Sequence, residues 1–355
     1  MAAPFLTQCR LAEIVGRFES VRTAVIGDFF LDMYFYVDPG LAEISRETGK
    51  TANQIVDVRT SPGAAGNVAL NLHSLGAKTV HAVGFIGDDG NGHELGTRLA
   101  EMGCITDGLT ISADRRTPTY MKPRMYNIRG LAGEMERFDI KNHTPTNRET
   151  ETAVIRTLSG LMRDIDAIVL VEQVEERACG VFTDYIKIEL DRLARKHSRV
   201  IFFADSRLDV LRFDSMILKA NQFELMGMSH VAPGTSLPRD YLTERMKTIC
   251  TDRKAPLFVT LGEGGIMTVD SEPIVVPAVK ATGEVDSTGA GDTATAALVL
   301  SLAAGATHVE AAIIANLAAS LSIEQLDTCG VCRSDDLPEC LDRYISQYSS
   351  KGQWK

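Results

Sequence analysis

Val285-Asp286-Ser287-Thr288-Gly289-Ala290-Gly291-Asp292-Thr293 runs straight into Ala294-Thr295-Ala296-Ala297-Leu298-Val299-Leu300. A turn of small residues thus opens directly into an apolar, alanine-rich helix. The first turn of a helix carries unpaired N–H groups and the positive end of the helix dipole. Glycines there let the backbone close on an anion, commonly a phosphate. Asp292 stands at the same place, where a carboxylate suits proton or metal handling. Phosphoryl transfer needs both parts, donors for the moving group and a base for the attacking hydroxyl. The run Gly289-x-Gly291-x-x-Ala294 also satisfies a loose dinucleotide fingerprint. That reading needs a second strand ending in an acid about 20 residues on. Gly305 and a further helical stretch, Val309 to Glu324, follow instead.

Working outward, five more runs occur in order. Gly27-Asp28-x-x-x-Asp32 ends a short apolar strand, Val21 to Ile26. Pro62-Gly63-Ala64-Ala65-Gly66-Asn67-Val68-Ala69-x-Asn71-Leu72 opens a helix with apolar spacing, closed by Gly76. Gly84-x-x-Gly87-Asp88-Asp89-x-x-Gly92 follows a second strand, Thr79 to Phe85, and leads into a helix over Gly92 to Met102. Asn221-x-x-Glu224 and Thr260-Leu261-Gly262-x-x-Gly265 complete the set. Further strands are expected at Ala167 to Val171, Val200 to Ala204, Leu257 to Leu261 and Gly265 to Val269, with helices at Leu6 to Phe18 and Phe182 to His197. This alternation argues a mainly parallel sheet with helices on both faces. Tyr34 to Thr60 and Thr117 to Asp139 break the rhythm as long, polar, strand-prone excursions. The tail from Asp342 is polar and is expected to fray.

Taken together these runs resemble the ribokinase-like (PfkB) carbohydrate and nucleoside kinases, over roughly residues 20 to 340. Within that family the likeness is greatest to the kinase half of bacterial heptose-7-phosphate kinase/ADP-heptose synthases, on Ile44-Ser45-Arg46-Glu47 through Pro62 and on Glu136-Arg137-Phe138-Asp139. The nucleotidyl-transferring half has no counterpart here. The resemblance implies one ribokinase-like α/β kinase domain over 1–355, with excursions 34–60 and 117–139 forming a small β-sheet lid over the sugar. It implies an ATP- and Mg²⁺-dependent sugar kinase, with Asp292 as the base and the Gly289, Ala290 and Gly291 backbone as the anion hole. Asp32 and Asn67, with Asp28 and Gly63 beside them, are the implied contacts to a sugar or sugar phosphate. Asn221, Glu224, Thr260, Gly262, Gly265 and Asn316 line the nucleotide side, with Glu224 acting on Mg²⁺ through water. A homodimer through the lid is implied too, and Tyr34, Phe35 and Tyr36 give the lid an apolar side.

Departures from the heptose kinases bear on the substrate. Their Asp-Tyr-x-Lys-Gly segment is Glu172-Gln173-Val174-Glu175-Glu176 here, and their Asp-Pro-Lys is Asp205-Ser206-Arg207. Both lysines are lost, and Glu172, Glu175 and Glu176 would repel a phosphorylated sugar if they faced it. Arg207 could supply one cation, and Lys122, Arg124 and Arg129 in the lid could bind a phosphate. A catalytically silent sugar or nucleotide sensor on the same fold is the alternative, since a fold alone does not fix function.

Composition narrows the field. A net charge of −10 opposes nonspecific binding to nucleic acid or anionic membrane. A hydrophobic fraction of 45% supports a sizeable core, yet no apolar run reaches the length of a membrane span. Met1 to Phe5 lacks the basic and apolar regions of a secretory signal, so a cytoplasmic protein is expected. Seven scattered cysteines read as reduced thiols. Cys329-x-x-Cys332, with Cys340 near, lacks the second ligand pair of a zinc site.

Overall fold

The structure, a computed structural model, describes residues 6–128, 131–228, 231–232, 235–253, 255–281, 283–326 and 330–349. The first half holds α1 (Gln8–Val15), β1 (Arg22–Gly27), β2 (Phe29–Ile44), β3 (Thr51–Ala64), α2 (Ala65–Ser74), β4 (Thr79–Gly87), α3 (Gly90–Glu101), β5 (Ile105–Ser112), β6 (Thr119–Met125), β7 (Phe138–Ile140) and α4 (Arg148–Leu161). The second half holds β8 (Ala167–Glu172), α5 (Asp184–Lys196), β9 (Ile201–Ser206), β10 (Ile217–Asn221), α6 (Arg239–Arg253), β11 (Leu257–Thr260), β12 (Ile266–Val269), β13 (Pro273–Val276), α7 (Ala290–Ala303), α8 (His308–Ile323) and α9 (Leu337–Ser349).

Among the described residues the main sheet has the order β13-β12-β11-β10-β9-β8-β1-β4-β5, parallel except at β11/β12 and β12/β13. Its central strands are apolar throughout, because both faces are covered. On β1, Val25 packs with α2, α7, α8 and α9, whereas Ala24 and Ile26 pack with α4, α5 and α6. The period-2 alternation of one strand thus feeds two separate cores. From β1 the chain crosses to β4 on one side and later to β8 on the other. That reversal opens a crevice at the carboxyl ends of the strands, where ligands of such sheets bind.

The second sheet runs β3-β2-β6-β7. The excursions expected at 34–60 and 117–139 do form it. It starts earlier than the sequence suggested, at Phe29, because the chain turns at Asp28 directly from β1 into β2. β2 and β3 make a long antiparallel hairpin with irregularities at Tyr36/Val37 and Asp38/Glu43, and β6 adds parallel to β2. From Asp342 to Ser349 the tail is helical rather than frayed, and residues 350–355 lie outside the described residues. The helical part belongs to α9, whose Leu337, Leu341, Tyr344 and Tyr348 are buried on one stripe, while the Tyr348 hydroxyl donates to the Ala278 carbonyl at 2.7 Å. Mean polarity hid that spacing.

Candidate active site

Asp292 sits in the first turn of α7, and its position is set by packing more than by its own helix. α7 is buried along Thr293 to Ser301, which demands small side chains against α2 and α8. This seats Asn67 of α2 beside it, donating from Nδ2 to Asp292 Oδ2 at 2.7 Å. Burial raises the Asp292 carboxyl to about 6, against the opposing pull of Asn67, Lys219 and Arg207. Gly289 caps the helix at φ 79°, a left-handed conformation that favours glycine. One of the three backbone N–H groups expected to form the anion hole already has a partner. The Ala290 N–H turns onto the Ser287 carbonyl at 3.2 Å. The first-turn N–H groups of Gly291 and Asp292 have no carbonyl four residues back within the helix. Gly291 needs no unusual backbone angle, and a Cβ there would meet only Lys219 Nζ, 3.7 Å away. Its small size keeps the cleft open.

The cleft beside Asp292 has a volume of about 220 Å³, and the carboxyl ends of four adjacent strands line it. β8 brings Glu172, β9 brings Asp205, β10 brings Lys219 and Asn221, and β11 brings Thr260. Lys219, which the motif search passed over, holds Asp205 Oδ2 at 2.6 Å, and Thr295 of α7 donates to the same oxygen at 2.6 Å. Burial works to lower the Lys219 ammonium, but Asp205, Glu224 and Asp292 outweigh it and hold the pKa above its ordinary value. The signal was legible in hindsight, because alternation along Ile217-Leu218-Lys219-Ala220-Asn221 places Lys219 and Asn221 on one face. Asn221 and Glu224 close a reciprocal turn. Asn221 Oδ1 accepts from the N–H groups of Phe223 and Glu224 at 2.8 and 2.9 Å, and Glu224 Oε2 accepts from the Asn221 N–H at 2.7 Å. Burial and then Asp205 raise the Glu224 carboxyl. A divalent cation would relieve that crowding, and the oxygen donors suit a hard ion that keeps much of its water. Among the described residues no group of three or more His, Cys, Asp or Glu could hold a metal.

Across from this cleft lies the lid side. Asp32 is buried, with Oδ2 accepting from Lys122 Nζ at 2.9 Å and Oδ1 without a partner. A buried acceptor left unpaired is costly, and a hydroxyl would satisfy it. Gly63 lies against that carboxylate, since a Cβ there would come within 2.9 Å of it. At the following turn, Ala64 takes φ 52° and ψ −117°, while a Cβ on Gly66 would strike Pro62 at 2.5 Å. The residue exchanged with glycine at 64 therefore carries strain, and the glycine at 66 makes room. Asp28 is committed elsewhere. Its carboxylate accepts from the N–H groups of Gln173, Val174 and Val181 at 2.9, 3.0 and 2.7 Å, and burial raises it despite them. It pins the 173–181 loop against β1.

Other residues fall as follows. Gly262 and Gly265 form the tight β11–β12 turn, and a Cβ on Gly265 would meet the Val276 carbonyl oxygen at 2.1 Å. Asn316 spends its amide nitrogen on the carbonyls of Val276 and Pro277, at 3.0 and 3.1 Å. Glu172 is buried and answered by Lys187 at 2.6 Å and by Ser206 at 2.5 Å, and Glu176 is answered by Lys141 at 3.2 Å. Two of the three acids expected to repel a phosphate are thus paired. Tyr34 and Tyr36 lie under Lys122 and Arg59, while the lid's exposed apolar groups include Leu41, Ile44, Ile55, Val56, Val58 and Phe138. Arg124 is buried in the lid, while Arg129 and Cys329 lie outside the described residues. Cys332 and Cys340 are buried, which raises both thiols.

A two-sided cleft at the switch point of a parallel sheet, with a lid and an acid at a glycine-rich helix start, defines a sugar kinase architecture. The pfkB family carbohydrate kinase model matches residues 23–335, and the chain belongs to that family. Its relatives include the bifunctional protein HldE of Desulfatibacillum aliphaticivorans, 27% identical over 343 residues, covering 95% of this chain and 66% of the relative. HldE of Bradyrhizobium diazoefficiens is 29% identical over 342 residues, covering 94% and 65%. The chain thus spans just under two thirds of the length of these relatives. Similar folds are Arabidopsis thaliana ribokinase complexed with ribose and ATP (TM-score 0.64, 19% identity, covering 90% of this chain and 98% of the other) and Escherichia coli phosphofructokinase-2 in complex with substrates and products (TM-score 0.67, 21%, covering 92% and 100%). No helix among the described residues is long and apolar enough to cross a membrane.

Proposed function

We propose that this carbohydrate kinase transfers the γ-phosphate of ATP to a hydroxyl of a sugar or sugar phosphate, with Asp292 as general base. The observation that carries the reading is the Asp292 carboxylate, raised to about 6 by burial, oriented by Asn67 and set between the two sides of the cleft. A base poised near working pH can take a proton as the bond to phosphorus forms. Mg-ATP, when bound, supplies the phosphoryl group and part of its charge neutralisation. Asp32, Asn67 and Gly63 hold the acceptor. The N–H groups of Gly291 and Asp292 receive charge developing on the moving group, and Lys219 adds a cation beside them. Glu224, with Asp205 near it, would hold Mg²⁺ through water, and Thr260 would border the nucleotide. The lid excludes water that would otherwise attack the nucleotide. The silent-sensor reading gains no support from this site, which keeps base, cation and anion hole together.

For the acceptor, heptose 7-phosphate is the first candidate, from the likeness to HldE. Two cations stand in for the middle-segment lysines. Lys219 comes from β10, and Arg207 lines the cleft with no ion pair among the described residues. A homodimer through the lid belongs to the same proposal, supported by the exposed aliphatic residues of β2 and β3.

The test is ADP release from Mg-ATP against heptose 7-phosphate, ribose, fructose and fructose phosphates, beside Asp292→Ala. Release that needs a sugar and disappears in the variant is expected, and the best sugar ranks phosphorylated against plain acceptors. Sugar-independent release equal in both proteins would sink the assignment of Asp292.

A further inference from the structure

The run Gly87-Asp88-Asp89-x-x-Gly92 takes no part in the chemistry above, yet it grips the lid. Asp89 caps α3 by accepting from the Gly92 N–H at Oδ1, 2.8 Å, and its other oxygen accepts from the Thr117 N–H at 3.0 Å. The Thr117 hydroxyl in turn accepts from the Gly87 N–H at 2.9 Å. In the first turn of α3, Asn91 donates to the Thr119 hydroxyl at 2.9 Å. Glu94 and Arg98 then hold the Thr60 hydroxyl of β3 at 2.6 and 3.0 Å. One face of α3 therefore meets two lid strands. A Cβ on Gly92 would lie 2.4 Å from the Gly87 carbonyl oxygen and 2.8 Å from the Thr117 hydroxyl, so the approach is as close as a glycine allows.

The gripped segment matters for what it carries. Residues 117–119 lead into β6, and Lys122 of β6 holds Asp32. We infer that Asp89 is a positioning residue, which through β6 and Lys122 sets where the acceptor-binding Asp32 stands relative to Asp292. The inference rests on the proposed acceptor role of Asp32. Loss of the grip loosens the acceptor side of the cleft and leaves the nucleotide side, built on β9 to β11, unchanged. A lid held less firmly also admits water to the moving phosphate.

Asp89→Asn tests this cleanly. Asparagine caps a helix as well as aspartate, so α3 is kept, but its NH₂ then faces the Thr117 N–H, donor against donor. Asn91→Ala, at a half-buried position, removes the Thr119 contact and guards against a folding defect in the first variant. Each should raise the acceptor KM by roughly tenfold, the scale of losing one hydrogen bond. The ATP KM should stay put, and ADP released per acceptor phosphorylated should rise. Acceptor and ATP KM rising together, or an unchanged acceptor KM with a lower kcat, would overturn the inference. Asp32→Asn serves as the reference. If it raises the acceptor KM while both α3 variants leave it alone, the positioning role falls and the acceptor site stands. If it has no effect on the acceptor KM, the acceptor site falls and this inference with it.

Discussion

At the scale of single residues, Asp292 joins catalysis to stability. A base with a pKa of about 6 must be ionised to work, so kcat/KM for the acceptor should fall tenfold per unit as pH drops below that value. Asp292→Asn should lose roughly 10²- to 10⁴-fold in kcat and show a flat profile over the same range. The folded-state pKa lies above the unfolded carboxylate value of about 4, so the folded chain takes up the proton more readily. The associated stability is complete below about pH 4 and is lost as pH rises through about 6. Asp292→Asn can still accept from Asn67 and carries no charge. It should therefore melt higher than wild type near neutral pH and gain little near pH 4, read by thermal denaturation at both. Ala64 offers a second test, because its positive φ strains any residue with a Cβ. Ala64→Gly should stabilise the chain by about 1 kcal/mol, as relief of such strain does, seen as a higher urea midpoint with unchanged slope. A lower midpoint would mean that the turn tolerates alanine without strain.

At the scale of elements, the lid hairpin is the part whose function depends on what it meets. Its inner side carries Asp32, Lys122 and Tyr120, where the Arg137 guanidinium lies 4.1 Å from the ring centroid. Its outer residues Ile44, Ile55, Val56 and Val58 are exposed. An exposed apolar patch of this kind suits the proposed dimer through the lid. Wild-type protein should sediment as a dimer at micromolar concentration, and Val58→Asp should sediment as a monomer. A monomeric wild type would remove the lid interface from the proposal. The hairpin's existence was legible as two excursions that no helix followed, but its start at Phe29 was not. Gly27-Asp28 looked like a strand end, and only the three backbone N–H groups held by Asp28 show that the corner is locked in place.

At the scale of the whole molecule, the reversal of strand order around β1 brings together sites that the sequence scatters. Asn67 and Asp292 are separated by 225 positions and lie 2.7 Å apart. In the proposed mechanism both ligands meet at Asp292 and the lid covers the acceptor, so occupancy of each should favour the other. Mg-ATP and acceptor together should raise the melting midpoint by more than the sum of their separate shifts. Each alone is worth about 2.7 kcal/mol at a hundredfold excess over its Kd. Strict additivity would show that the two sides do not communicate. Chelation of divalent ions should remove the ATP part and leave the acceptor part.

The sequence by itself determined the class of fold and the glycine-rich start of α7. Buried parallel strands and glycine-rich helix starts are local patterns, set by hydrophobic alternation and backbone freedom. It marked Asp292, Asp32, Asn67 and Glu224, because each lies within a short run of fixed spacing. Tertiary structure alone decided the rest. Lys219 and Thr295 converge on Asp205 from separate elements, and no spacing within the chain announces a contact between β9, β10 and α7. The Asp28 carboxylate accepts from three N–H groups of a loop remote in sequence, a need that its own run does not announce. The Ala290 N–H turns onto the Ser287 carbonyl, a pairing that the glycine-rich run does not announce. Short patterns report the conformations a segment can adopt, whereas the partner of a charge or a buried donor depends on which distant segments the core packs against it.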